Sequence, residues 1–180
     1  ASLPTGPYTA ASGHLSVLCG RVSYMFGMQG PSVCMDTACS ASLVGAHLAA
    51  RAVAGSECEE SIAAGVSLSV GIGTYATLAA ARMLSMDGRC KTLDASADGY
   101  GRGECCGVIH VGAGGRSKAA RQYSFGATAL LLGSSVNQDG RSSSLTAPNG
   151  PSQQALIVQA LLASSMEAGG VGQLEMHGTG

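Results

Sequence analysis

The segment with the clearest chemical character surrounds Cys39, in the sequence DTACSAS that begins at Asp36. A short apolar stretch precedes this cysteine and a helix-forming stretch follows it, so Cys39 is predicted at a sharp strand-to-helix junction. Unpaired backbone N–H groups and the positive end of the helix dipole converge there, which favours thiolate over thiol. The small flanking residues allow a tight turn and the approach of a substrate carbonyl, as in a nucleophile elbow. Cys39 is therefore a candidate nucleophile, although a free cysteine can also be a small buried residue and nothing more.

A second candidate is His177, which lies in the sequence EMHGTG at residues 175–180. It follows a predicted strand and precedes a glycine, so its imidazole can reach into a cleft and donate Nε2–H to a developing oxyanion. The alternative is a polar residue at the edge of the fold. Together, Cys39 and His177 suggest acyl transfer, with folding rather than sequence proximity bringing them together.

The elements that must position these residues alternate along the chain. A helix is predicted over residues 40–54, closed by Gly55, and another begins with Pro151 in its first turn and runs to 169. A third helix is predicted over residues 74–84. Short apolar runs predict strands over residues 32–36, 62–70, 107–111, 127–132 and 174–176. This alternation is typical of a layered α/β fold.

The composition is unusually poor in charge. Only 12% of the 180 residues are charged, against roughly 25% in a typical soluble domain. This low charge argues against a disordered chain, and the net charge of -1 argues against binding to nucleic acid or to an anionic membrane. Because so few charges cannot solvate the outside of a free-standing globule of this size, we expect something else to cover much of the surface.

Seven cysteines without any CxxC pair indicate free thiols in a reducing compartment, with neither a disulfide framework nor a metal site. The N-terminal residues lack the pattern of a signal peptide. The longest uncharged run, 21 residues over 61–81, is long enough to span a bilayer. Its glycines, serines and threonines instead predict a strand, a turn and a helix, so no membrane span is expected.

Four ordered blocks carry a more specific signal. They are residues 30–49 (GPSVCMDTACSASLVGAHLA), 85–108 (SMDGRCKTLDASADGYGRGECCGV), 134–154 (SSVNQDGRSSSLTAPNGPSQQ) and 175–180 (EMHGTG). These blocks resemble the β-ketoacyl synthase (ketosynthase) domain of type I polyketide synthases and of related fatty-acid synthases. The resemblance implies a thiolase-like, layered α-β-α-β-α fold, here partial, with most of the nucleophile half and the start of the second half. It also implies a decarboxylative Claisen condensation between two thioesters.

The resemblance assigns roles to individual residues. Cys39 matches the cysteine that takes the acyl chain from the phosphopantetheine arm of an acyl carrier protein. His177 matches the first of two catalytic histidines, which help to decarboxylate the malonyl unit and stabilise its enolate. Thr146 and Thr179 match threonines that hydrogen-bond the pantetheine arm. No directly bound cofactor and no metal are implied.

Two charged residues and three departures from the family pattern complete this comparison. Arg102 and Glu104 resemble a charged pair near the site, for which we expect a structural role in orienting the loop. Ala41 stands where the family usually has a serine, and Met176 where it usually has an alanine; both changes leave the chemistry credible. Residues 112–125 lack the family's usual helix-like connection.

The chain ends before the family's lysine and second histidine, so residues 1–180 are predicted to be an internal part of one ketosynthase domain, with no separate domain and no condensing activity alone. The resemblance also implies a homodimer, and the expected location is the cytoplasm, with a plastid as the alternative. A fatty-acid synthase remains an alternative parent. Two other classes also remain: a non-catalytic partner like a chain-length factor, against which the presence of Cys39 argues, and a hydrolytic Cys/His enzyme.

Overall fold

A computed structural model describes residues 6–113, 128–145 and 147–179. Within them the chain forms five α-helices and two β-strands. These are α1 (Thr9–Gly13), α2 (Leu15–Phe26), α3 (Ala41–Ala54), β1 (Glu60–Ser67), α4 (Ile72–Ala80), β2 (Cys105–Gly112) and α5 (Gly150–Ser164). Short 3₁₀ turns occur at Ala38–Ser40 and Ala168–Gly170.

The chain divides into two compact units. The first consists of Ala1–Ala64 with Val108–Ala129, and the second of Gly65–Gly107 with Leu130–Gly180. Helices α1 to α3 and Cys39 belong to the first unit, whereas α4, α5 and His177 belong to the second.

Helix α3 confirms the helix predicted over residues 40–54. Its alanine-rich sequence has high helix propensity, and the N–H of Gly55 donates to the carbonyl of Arg51 at 2.8 Å, which closes the last turn. One of its residues, Val53, is buried. The helix therefore begins two residues after Cys39, whereas the described residues show no strand before this cysteine, so only the helix half of the predicted strand-to-helix junction is present.

The strands β1 and β2 pair in a two-stranded sheet and confirm the strands predicted over residues 62–70 and 107–111, with shifted ends. Glu60 at the start of β1 lies 3.2 Å from His110 near the end of β2, and Ser67 at the end of β1 donates to the carbonyl of Gly103 just before β2. The two strands are therefore antiparallel. The uncharged run over 61–81 forms most of β1, a turn and α4, and no helix in the described residues is long and apolar enough to cross a membrane.

Three predicted strands do not form. Residues 32–36, 128–132 and 174–176 join no β-ladder in the described part of the chain, and residue 127 lies outside it. An apolar run reports which side chains can be buried, but a strand also needs a neighbour for its backbone hydrogen bonds. The apolar sequence pattern could not show whether a neighbouring strand would be present.

Two predicted helices end earlier than expected. Helix α4 stops at Ala80 instead of residue 84, and α5 stops at Ser164 instead of 169. A residue with positive φ follows each helix closely, Arg82 at 55° and Ser165 at 56°. The left-handed conformation breaks the helical hydrogen-bond pattern, and neither residue type signals it in the sequence.

Few residues are buried. Among the described residues, only Val53 and Ser85 are buried. Large apolar side chains such as Tyr24, Phe26 and Val70 are instead largely open to solvent. This agrees with the expectation from composition that much of this surface is meant to be covered.

Candidate active site

Cys39 lies in the 3₁₀ turn Ala38–Ser40, immediately before α3, and its side chain is exposed. Within the described residues the thiol is therefore open to solvent, as a candidate nucleophile requires. Ala38 has a φ of 54°, in the left-handed region that alanine rarely adopts. The N–H of Ala38 donates to Oδ1 of Asp36 at 2.8 Å, which holds the unusual conformation in place.

Two hydroxyl groups close the same turn. Ser40 Oγ donates to the carbonyl of Thr37 at 2.9 Å and lies 2.9 Å from Thr37 Oγ1, and the N–H of Ala41 bonds the carbonyl of Ala38. In the described part of the chain, neither the thiol nor the N–H of Cys39 has a hydrogen-bond partner. Both groups are therefore free to meet an incoming carbonyl, the thiol at its carbon and the N–H at its oxygen.

His177 and Thr179 lie in an irregular segment of the second unit, and both side chains are exposed. Gly178, the residue between them, accepts a hydrogen bond from a residue that is far away in the sequence. Thr92 Oγ1 donates to the carbonyl of Gly178 at 2.6 Å. A Cβ on Gly178 would lie 2.7 Å from Thr92 Cγ2, so a larger residue does not fit there without a shift.

Thr92 was missed by the sequence interpretation, although it lies inside one of the four family-like blocks. It belongs to a loop of residues 83–101 whose ends are joined by backbone bonds. The N–H of Ser85 donates to the carbonyl of Tyr100, and the N–H of Tyr100 donates to the carbonyl of Met83, both at 3.1 Å. The loop therefore starts and ends at one place and presents Thr92 from its middle.

Charged side chains hold this loop together. Lys91 Nζ lies 3.0 Å from Oδ1 of Asp98 and 3.3 Å from Oδ2 of Asp87. The hydroxyl of Ser85 is 2.7 Å from Asp87 Oδ1 and 2.8 Å from Asp98 Oδ1, so it donates to one carboxylate at a time. The hydrogen bonds from Lys91, from Ser85 and from the N–H of Met86 lower the pKa of Asp98 from 3.8 to about 2.

The same hydrogen bonds also shift the pKa values of Asp87 and Lys91. The hydrogen bond from Ser85 lowers the pKa of Asp87, followed by the bond from Lys91. The hydrogen bond to Asp98 is the largest cause that raises the pKa of Lys91. All three groups are therefore held in their charged forms near neutral pH.

Two glycines allow the loop to fold so tightly. Gly99 has a φ of 134°, and a Cβ there would lie 2.6 Å from the carbonyl carbon of Leu84. A Cβ on Gly101 would collide with the carbonyl of Gly88. The N–H of Gly101 donates to Cys90 Sγ at 3.3 Å. Glycine is therefore required at positions 99 and 101 of this loop.

The predicted pair Arg102 and Glu104 is not joined. Glu104 Oε1 instead accepts a hydrogen bond from the N–H of Ser69 at 2.5 Å, which connects the residue just before β2 to the segment after β1. In the described residues Arg102 takes part in none of the ion pairs, which are Lys91 with Asp87 and with Asp98, and His110 with Glu60.

Thr146 lies outside the described residues, but the base of its loop is well defined. Asn149 Oδ1 accepts from the N–H of Ser152 at 3.3 Å and caps α5, whose first turn carries Pro151 as predicted. Asn149 Nδ2 donates to the carbonyl of Asp139 at 2.8 Å, and the N–H of Asn149 donates to Asp139 Oδ2 at 3.2 Å. One side chain therefore fixes both the start of α5 and the return of the loop.

No group of His, Cys, Asp or Glu side chains in the described part of the chain is arranged to hold a metal ion. The two best-defined cavities are open and apolar, one along α2 at Gly20 and Met25 and one between Leu130 and α5 at Ile157. Neither is lined by a candidate site residue.

The chain matches two family models, the N-terminal domain of β-ketoacyl synthase over residues 4–114 and the C-terminal domain of β-ketoacyl synthase over residues 128–180. The chain belongs to the β-ketoacyl synthase family. It is 45% identical over 99% of its length to polyketide synthase GfsE of Streptomyces halstedii, and 44% identical over 96% to erythronolide synthase EryA2 of Saccharopolyspora erythraea. It spans 5% of each of these two proteins.

Solved ketosynthase domains have the same fold. The oxazolomycin ketosynthase domain from Streptomyces albus matches 94% of this chain with a TM-score of 0.87 and 36% identity. The ketosynthase from module 6 of the bacillaene synthase of Bacillus subtilis matches 98% with a TM-score of 0.85 and 32% identity. The chain spans 29% and 31% of these two structures. Its fold is therefore that of a part of a thiolase-like ketosynthase domain, as the sequence predicted.

Proposed function

We propose that this chain is part of the ketosynthase of a polyketide synthase and contributes to decarboxylative Claisen condensation. The observation that carries the proposal is the elbow at Cys39, where an exposed thiol and a free N–H lie together at the start of α3. Family membership and the polyketide synthases among its relatives support the same reaction.

The first step is acylation of Cys39. Its thiolate attacks the carbonyl carbon of an acyl thioester on the phosphopantetheine arm of an acyl carrier protein. A C–S bond forms to Cys39, the C–S bond to the arm breaks, and the released pantetheine sulfur takes up a proton. The N–H of Cys39 donates to the oxyanion that develops during this exchange.

The second step is condensation. A malonyl thioester on the carrier protein loses carbon dioxide, and His177 stabilises the enolate by donating to its oxygen. The enolate carbon attacks the acyl group on Cys39, a C–C bond forms, and the Cys39 thiolate leaves. Thr146 and Thr179 hydrogen-bond the pantetheine arm, and the family's second histidine and lysine come from outside residues 1–180.

Further parts of this proposal concern the surroundings of the site. Glu104 and Arg102 orient the loop and do not transfer protons, which fits the bond from Ser69 to Glu104. We further propose a homodimer in the cytoplasm that works with an acyl carrier protein. The named relatives favour polyketide over fatty-acid synthesis, and the presence of Cys39 favours an enzyme over a partner like a chain-length factor.

Covalent labelling of the intact parent protein tests the nucleophile. With chloroacetyl-pantetheine, the Cys39 thiolate displaces chloride and forms a stable thioether, which peptide mass spectrometry locates. Cys39→Ala is expected to abolish the labelling and to lower condensation at least about 10³-fold, because no other group can carry the acyl chain.

Cys106→Ala is the matched control, since Cys106 is also an exposed free cysteine. This variant is expected to label and condense like the wild type. Equal labelling of both cysteines, or condensation that survives Cys39→Ala, contradicts the proposal. Reaction of Cys39 with a peptide-based trap but not with the pantetheine probe indicates a hydrolytic enzyme instead.

A further inference from the structure

The hydrogen bond between Thr92 and Gly178 joins two segments that are 86 residues apart in the sequence. At 2.6 Å it is a short O–H···O bond. The accepting carbonyl belongs to the peptide unit that links Gly178 to Thr179, and His177 precedes it directly. A donor at this carbonyl therefore sets the orientation of the backbone between the two candidate site residues.

The contact has a steric part as well as a polar part. The space where Gly178 would carry a Cβ is taken by Thr92, with Cγ2 at 2.7 Å and Oγ1 at 3.2 Å. Threonine is branched at Cβ and has a restricted χ1, so its methyl group does not easily move aside. The methyl group of Thr92 therefore occupies the space beside the Gly178 Cα, and its hydroxyl group bonds the Gly178 carbonyl.

Thr92 is itself held at a defined place. The N–H of Asp94 donates to the carbonyl of Lys91 at 3.0 Å, which makes residues 91–94 a tight turn, and Leu93 in this turn has a φ of 66°. At the start of the turn, Lys91 is paired with both Asp87 and Asp98. The position of Thr92 thus follows from the closed loop and not from the contact with Gly178.

We propose that Thr92 is a positioning residue for the segment that carries His177 and Thr179, acting through its hydroxyl bond to the Gly178 carbonyl. This inference rests on the proposed function, because it assigns the extender half of the reaction to that segment. Alkylation of Cys39 by iodoacetamide, which has no pantetheine arm, uses neither His177 nor Thr179. Loss of the Thr92 hydroxyl should therefore lower decarboxylation and leave this alkylation unchanged.

The test compares three variants in the full parent protein. Thr92→Val keeps the branched shape and removes the hydroxyl, whereas Thr92→Ser keeps the hydroxyl and removes the methyl group. Thr77→Val is the matched control, because the Thr77 hydroxyl also donates to a backbone carbonyl, that of Gly73 at 3.0 Å, but within α4. Two rates are measured: alkylation of Cys39 by iodoacetamide, and release of carbon dioxide from malonyl-pantetheine.

Thr92→Val is expected to lower kcat/KM for carbon dioxide release about 2- to 12-fold, the range for one net hydrogen bond, while alkylation of Cys39 stays at the wild-type rate. Thr92→Ser should restore release to near the wild-type value, and Thr77→Val should change neither rate. A general loss of folding would change both rates, so a change in release alone identifies positioning.

Two results overturn the proposal: wild-type release in Thr92→Val, or a change in both rates that Thr92→Ser does not reverse. The carbonyl ¹³C shift of Gly178 gives a readout that needs no activity, and it should move in Thr92→Val but not in Thr77→Val. If the wild type does not decarboxylate malonyl-pantetheine but this shift moves in Thr92→Val, the proposed function fails while the hydrogen bond from Thr92 to Gly178 is supported. If the shift does not move, the inference about Thr92 fails independently of the reaction.

Discussion

Ala38 shows how a single backbone conformation shapes the candidate nucleophile. Its φ of 54° turns the chain sharply just before Cys39, and α3 begins two residues later at Ala41. An L-residue other than glycine in this region carries roughly 1–2 kcal/mol of strain. The bond from its N–H to Asp36 and the closed turn at Ser40 compensate for that strain. Backbone strain at Ala38 fits a role in presenting the neighbouring Cys39 to a substrate.

Replacement of Ala38 by a β-branched residue should disturb this elbow. Ala38→Val is expected to lower the free energy of unfolding by about 1–2 kcal/mol, because valine tolerates positive φ less well than alanine. It should also slow alkylation of Cys39. Urea denaturation and the rate of iodoacetamide labelling measure the two effects.

Ala41→Val is the control for Ala38→Val. Ala41 has a φ of -54° in the first turn of α3, where valine costs no more than about 0.7 kcal/mol relative to alanine. Equal effects of the two substitutions would show that the left-handed conformation at Ala38 has no special role.

At the residue scale, the sequence predicted the helix that follows Cys39 because short-range features define it, namely small residues followed by a helix-forming stretch, but it wrongly predicted a strand before this cysteine. It did not predict the positive φ of Ala38, since alanine gives no signal for that conformation. It also missed Thr92, because the meaning of this residue depends on Gly178 far along the chain. Placement of Cys39 and His177 in one catalytic site stays a prediction of the family resemblance.

The closed loop of residues 83–101 is the element that depends most on charge. Asp98 has a folded-state pKa of about 2, below its ordinary 3.8. A carboxyl group with a lowered pKa stabilises the fold above its unfolded-state pKa, and this contribution is lost as the pH falls from about 4 through about 2. The loop that carries Thr92 should therefore loosen in this acidic range.

Lys91→Met tests the origin of this effect. Without the ammonium group, the midpoint of Asp98 in a carboxyl ¹³C NMR titration should rise from about 2 towards 3.8, because the hydrogen bond from Lys91 is the largest cause of the shift. Bonds from Ser85 and Met86 should keep the midpoint somewhat below 3.8. Arg89→Met removes a nearby charge that forms no ion pair in the described residues and should leave the midpoint unchanged. A wild-type midpoint near 3.8 would contradict the assignment.

Among the helices and strands, the features predicted best are those that depend on residues close together in the sequence. The start of α3 after small residues and the start of α5 at Pro151 follow from capping and propensity, and both are present. The ends at Arg82 and Ser165 and the missing strands depend on backbone conformations and on neighbouring strands, which an apolar pattern does not encode. The antiparallel pairing of β1 and β2 likewise depends on contacts such as Glu60 with His110.

Many large apolar side chains of the described residues are exposed. Tyr24 is 86% exposed, Val70 93% and Met86 94%. The chain spans only 29% of the oxazolomycin ketosynthase structure that it matches. In a complete ketosynthase domain the remaining sequence can cover this surface, as can the second subunit of the proposed homodimer, and a covered surface accounts for the low fraction of charged residues.

This view predicts how the 180-residue chain behaves on its own. It is expected to enhance the fluorescence of the apolar dye ANS several-fold more than the complete ketosynthase domain does, because its apolar faces are uncovered. It should also form no condensation product, since in the proposed function the second histidine and the lysine belong to the rest of the ketosynthase domain. Dye titration and mass spectrometry of products, with the Cys39→Ala variant of the complete domain as the inactive reference, measure both properties. Triketide or longer product from the purified 180-residue chain would contradict the argument, because a complete site would then have to exist within residues 1–180.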